Sequence, residues 1–101
     1  MKKKVVYIAG PISKDLEHYK EKFAWMEDTL CKEGFVVLNP ANAPEGLTYK
    51  QYIHYGIALL SKADWICMLP GSEHSPGACF EKRYAELMGL PVYCVDPKAF
   101  N

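Results

Sequence analysis

An α/β fold follows from three features of the chain. There are four short apolar runs rich in β-branched and aromatic residues, an amphipathic helical pattern between successive runs, and a glycine or proline at nearly every junction. Strands separated by single helices imply crossover connections and a parallel sheet covered on both faces. The predicted architecture is a Rossmann-like or flavodoxin-like three-layer fold with a four- to five-stranded parallel sheet, built by residues 1–101 as one domain.

The first run, Val5-Val6-Tyr7-Ile8-Ala9, is continuous and ends sharply at Gly10-Pro11, as a strand buried on both faces should. Leu16, Tyr19, Phe23, Met26 and Leu30 then recur at spacings of three and four, which predicts a helix with one apolar face. Gly34 marks its end, and Phe35-Val36-Val37-Leu38 reads as a second buried strand. The segment from Asn39 to Gly46 holds two prolines and is a loop. Thr48 with Gln51 forms a capping box, predicting a helix from Tyr49 to about Lys62. Asp64 to Leu69 is the third strand, closed by Pro70-Gly71. Ser75-Pro76 supplies an N-cap followed by proline at the first helical position, and that helix should run to about Met88, before Gly89 and Pro91. Val92 to Val95 is the fourth strand, cut by Asp96-Pro97.

Composition narrows the classes of function. At 101 residues the usual scaling buries roughly two thirds of the unfolded surface, enough for one core. Lys plus Arg and Asp plus Glu each total 12, so the chain lacks the basic excess expected of a nucleic-acid binder. No apolar stretch approaches the roughly 20 residues needed to span a bilayer, and the run after Lys2-Lys3-Lys4 is too short for a signal peptide. Cys31, Cys67, Cys79 and Cys94 contain no CxxC pair and no zinc-ligand spacing, so neither a metal nor another cofactor is called for. The expected setting is the cytoplasm, with reduced thiols.

In an open parallel sheet, ligands bind beyond the carboxyl ends of the strands. Gly10-Pro11-Ile12-Ser13 lies there, but it is neither GxGxxG nor a P-loop, and it is equally a bare turn. Gly71-Ser72-Glu73-His74-Ser75-Pro76-Gly77-Ala78 runs into a helix N-terminus that attracts anions, with Gly77 and Ala78 small enough for close approach. Ser75 is either an anion contact or a plain cap. Glu81 is either a surface carboxylate complementing the helix dipole or a nucleophile in a crevice, with Ala78, Ala85 and Met88 marking its side of the helix as packed. Tyr49, Tyr52 and Tyr55 read as a core or interface stripe, His54 and His74 as surface residues, and Asp64 as structural.

The residues also carry a resemblance. Tyr7-Ile8-Ala9-Gly10-Pro11-Ile12, Asn39-Pro40, Ala63-Asp64-Trp65-Ile66 and Ser75-Pro76-Gly77-Ala78-Cys79-Phe80-Glu81 with Tyr84-Ala85 resemble, in order, the signatures of the nucleoside 2-deoxyribosyltransferase-like superfamily. The run Leu69-Pro70-Gly71 with Ser75-Pro76-Gly77-Ala78 is similar to a small branch found often in phages. The resemblance implies chemistry at an N-glycosidic bond. Glu81 would be the nucleophile, with Tyr7 keeping it ionised and oriented. Gly10, Pro11, Ile12, Asn39, Pro40, Gly71, Ser75, Gly77 and Ala78 would bind substrate. Serine rather than aspartate at position 75 looks like the deoxynucleoside 5′-monophosphate N-glycosidases, since an aspartate would repel phosphate. The aspartate that many members carry in the second helix falls on Gly56 here. So small a chain supplies little lid, which implies a homodimer or larger. Two rival readings stand beside this one: a module that holds a nucleotide without turnover, and an α/β domain whose tyrosine stripe serves assembly alone.

Overall fold

The innermost strands are the two longest apolar runs. In the computed structural model, which describes residues 2–100, β1 (Val5–Ala9) lies between β2 (Val36–Leu38) and β3 (Trp65–Met68), and β4 (Val92–Cys94) pairs with β3. All pairings are parallel, in the order β2-β1-β3-β4, which is the flavodoxin-like arrangement with four strands. Residues 1 and 101 of the expected domain lie outside the described residues.

Alternation along β1 builds both cores. Val6 and Ile8 pack on one face against Phe23, Met26 and Leu30 of α1 (Tyr19–Lys32). Tyr7 and Ala9 pack on the other with Leu60 of α2 (Tyr49–Leu60) and Ala78 and Ala85 of α3 (Pro76–Leu87). This is the three-layer architecture the crossover pattern implies. Asp64 is structural: its Oδ2 accepts the Val5 N–H at 2.9 Å and ties β3's entry to the start of β1.

Three expectations change. α1 begins at Tyr19 rather than near Leu16, because the chain first closes turns. The Asp15 N–H donates to the Ile12 carbonyl, the Tyr19 N–H donates to the Asp15 carbonyl, and Lys22 Nζ pairs with Asp15 Oδ2 at 2.8 Å. Leu16 keeps the helical spacing but is 72% exposed. Second, β2 and β4 are edge strands and only partly covered, so an apolar run marked a strand there without marking a buried one. Third, Met88 is 59% exposed beyond the end of α3, whereas Ala78 and Ala85 are buried. No helix among the described residues is long and apolar enough to cross a membrane.

Candidate functional site

The chain leaves β1 toward one side of the sheet and β3 toward the other, so the connections diverge and leave a crevice at the carboxyl ends. A cleft of about 250 Å³ occupies this place. Gly10, Ile12 and Ser13 line it from the turn after β1, and Pro40, Ala41, Ala43 and Glu45 line it from the loop after β2. Tyr49, Tyr52 and Ile53 of α2 face Ser75, Pro76, Gly77 and Ala78 at the start of α3. Tyr7 and Glu81 are its most buried polar groups. The volume sits near the lower end of small-molecule sites, which run from about 300 Å³ upward.

Glu81 is 8% exposed, one turn into α3. Its Oε2 accepts a 2.5 Å hydrogen bond from the Tyr7 hydroxyl, 74 positions away in sequence. Burial pushes the Glu81 carboxyl up to about 7, and the Tyr7 hydrogen bond pulls it partly back. Tyr7 itself is held far above its ordinary value, first by burial and then by the Glu81 charge and hydrogen bond, with Tyr55 adding to it. Tyr7 therefore remains a neutral donor across the accessible pH range, while Glu81 titrates near neutrality.

Ser75 is buried and caps α3: its Oγ accepts the Ala78 N–H at 3.3 Å, and Pro76 follows at the first helical position. The Cys79 N–H donates to the Ser75 carbonyl. Among the described residues no Lys, Arg or His lines the cleft, so an anion would find neutral donors there, alongside the carboxyl groups of Glu45 and Glu81. The loop before α3 is held from behind. Buried Ser72 donates its hydroxyl to the Leu69 carbonyl, and Gly71 turns the chain at φ 87°, a left-handed conformation suited to glycine.

The cleft thus gathers Tyr7, Gly10, Ile12, Pro40, Ser75, Gly77, Ala78 and Glu81 of the residues singled out by sequence. Pro11 and Gly71 do not line it, and they lie beside each other, a Cβ on Gly71 reaching to 3.4 Å from Pro11 Cγ. Asn39 is turned to structural work: its Oδ1 accepts the Ala41 N–H and its Nδ2 donates to Glu27 Oε1 at 2.8 Å. Gly77 makes room for a neighbouring helix, since a Cβ there would meet Ile53 Cδ1 at 3.2 Å. Among the described residues no group of three or more His, Cys, Asp and Glu is placed to hold a metal ion.

Sequence reasoning missed Tyr49, Tyr52 and Glu45 as cleft residues, and it named Gly56 only as the position where the aspartate of similar sequences falls. Tyr49 and Tyr52 stand at the cleft rather than in a core, Tyr49 being 63% exposed. Glu45 sits at the rim, paired with Lys20 at 2.8 Å, and no local pattern would have placed it there. Gly56 lies buried inside α2, where glycine costs about 0.5–1 kcal/mol relative to alanine. A Cβ on Gly56 would collide with Glu81 Oε2 and lie 2.7 Å from the Tyr7 hydroxyl oxygen. The available signals were a glycine in the middle of a capped helix and its fall on the position where similar sequences carry an aspartate.

Comparison with solved structures finds a similar fold in a 2-desoxiribosyltransferase from Leishmania mexicana, at 20% identity and a TM-score of 0.72. The alignment covers 90% of this chain and 63% of that one, so this chain spans under two thirds of that protein's length. Comparison with curated proteins gave no match. Residues 4–94 match the family described as Domain of unknown function (DUF4406), and the chain belongs to that family.

Proposed function

We propose that the chain cleaves the N-glycosidic bond of a (deoxy)nucleoside 5′-monophosphate, by hydrolysis or base exchange, with Glu81 as nucleophile. The observation that carries this reading is the buried Tyr7–Glu81 pair opening into a cleft at the sheet's switch point. The Glu81 carboxylate attacks the anomeric carbon, the base departs with the bonding electrons, and a glycosyl ester forms on Glu81. Water or a second base then attacks the same carbon, gives up the proton that the departed base takes on, and releases the carboxylate, as in a retaining glycosidase. Tyr7 orients the carboxylate through Oε2. The similarity in fold to a deoxyribosyltransferase supports the reaction class. The phosphate is assigned to Ser75 and the first turn of α3, whose neutral donors and dipole suit an anion.

Purified protein incubated with nucleosides and their monophosphates should release free base, followed by chromatography, and Glu81→Ala should abolish release. Base release at the parental rate in that variant would overturn the assignment of Glu81.

One observation favours a second reading, a module that holds a nucleotide without turnover. Burial pushes the Glu81 carboxyl up toward neutrality, which favours its protonated form, and a protonated acid does not attack. A thermal-shift screen separates the two: stabilisation by an intact monophosphate with no base released favours binding alone. Under either reading we place the chain in the cytoplasm, where its four free cysteines stay reduced, as a homodimer or larger assembly. Exposed Tyr49, Phe80 and Leu87 offer apolar surface for association.

A further inference from the structure

Gly56 shapes the site by what it lacks rather than by what it carries. Two atoms crowd the direction its side chain would take, Glu81 Oε2 and the Tyr7 hydroxyl oxygen, and they are the two partners of the buried hydrogen bond. They differ in freedom. Tyr7 is fully buried in β1, flanked on both sides by paired strands, so its ring cannot retreat. Glu81 sits beside the cleft, and its carboxylate has open space in which to swing.

We propose that in this chain Gly56 is a positioning residue for the candidate nucleophile: bare backbone at this point of α2 leaves the Glu81 carboxylate its place on the Tyr7 hydroxyl, and a side chain added to Gly56 in this packing expels it into the cleft. The role rests on Glu81 acting as the nucleophile; the packing relation does not. Expulsion separates the carboxylate from its donor and moves it by about the length of a methyl contact, and misplacement on the order of 1 Å lowers rates by about a hundred-fold.

The test is Gly56→Ala with two readouts. In proton NMR of the parental protein, the Tyr7 hydroxyl should give a downfield resonance, assigned by its loss in Tyr7→Phe. Gly56→Ala should lose that resonance while remaining folded, and kcat for base release should fall by about a hundred-fold. A retained resonance in Gly56→Ala, or kcat within two-fold of the parent, overturns the proposal. If the parent shows the resonance but releases no base from any substrate, the enzymatic reading fails, and the resonance alone decides the packing relation.

A melting comparison covers the case in which Gly56→Ala does not fold. In the Tyr7→Phe/Glu81→Ala background both crowding atoms are gone. At pH 4.5, where burying Glu81 carries no charge cost, Gly56→Ala should raise Tm in that background, because alanine is the better helix former, while lowering it in the parent. A Tm lowered equally in both backgrounds overturns the proposal.

Discussion

Replacing Glu81 by glutamine tests the electrostatics of the site without requiring any substrate. Glutamine keeps the shape and an oxygen that can accept from Tyr7, but it cannot ionise. In the folded parent the Glu81 carboxyl titrates at about 7 instead of its ordinary 4.5, chiefly because burial disfavours the charge. A folded-state value raised above the unfolded one gives stability that is fully present below the unfolded pKa. That stability is lost as pH rises through the folded one. Between these two values, at 1.36 kcal/mol for each pH unit, the parent loses up to about 3 kcal/mol. Glu81→Gln should therefore match the parent near pH 4.5 and exceed it by up to about 3 kcal/mol at pH 8. For a domain of this size each kcal/mol moves Tm by about 4–8 °C, so the curves should part by ten degrees or more. Urea unfolding followed by circular dichroism at pH 4.5, 6, 7 and 8 measures the difference. A gap that does not widen with pH, or a variant less stable than the parent at pH 8, would refute the reasoning.

Three further outcomes follow from the same geometry. Tyr7→Phe removes the hydrogen bond that lowers the Glu81 value, so the acid limb of the pH–rate profile should move above 7 and base release should slow. A buried oxygen without its donor should also cost about 1–3 kcal/mol of stability at pH 8; an unmoved acid limb counts against the pair. Ser75→Asp preserves an N-cap and hence stability, but would put a charge beside a phosphate bound there, at a separation on the order of 4 Å for groups in contact. At an effective dielectric near 20 that repulsion is worth up to about 4 kcal/mol. The KM for monophosphates should rise at least ten-fold while that for nucleosides holds, and equal changes would remove the phosphate from this position. Size-exclusion chromatography with light scattering should return at least twice 11.4 kDa, and a monomeric mass would refute the assembly.

Much of the fold was legible in the sequence because its signals are local. Gly10-Pro11 after β1, the Thr48–Gln51 capping box and the Ser75-Pro76 helix start depend only on neighbouring residues, and each stands where those residues put it. What was illegible depends on the third dimension. Val36 and Tyr93 sit in apolar runs like those of the centre, yet strand order leaves them at exposed edges. Leu16 kept the helical period, but the turn closed through Asp15 and Lys22 delayed α1. Within the site, Glu81 and Ser75 were visible because a helix start gathers them. The Tyr7–Glu81 bond spans 74 positions, and the meaning of Gly56 appears only when α2 is laid against both partners. A glycine inside a capped helix, where similar sequences carry an aspartate, was the trace of that contact in the sequence.

The covalent intermediate offers the most direct test of the central claim. Protein mixed with a deoxynucleoside monophosphate, quenched in acid and digested, should yield the Glu81 peptide carrying one deoxyribose 5-phosphate by mass spectrometry. Glu81→Gln should yield none and release no base. Base release from the parent with that peptide unmodified, continuing undiminished in Glu81→Gln, would contradict the account.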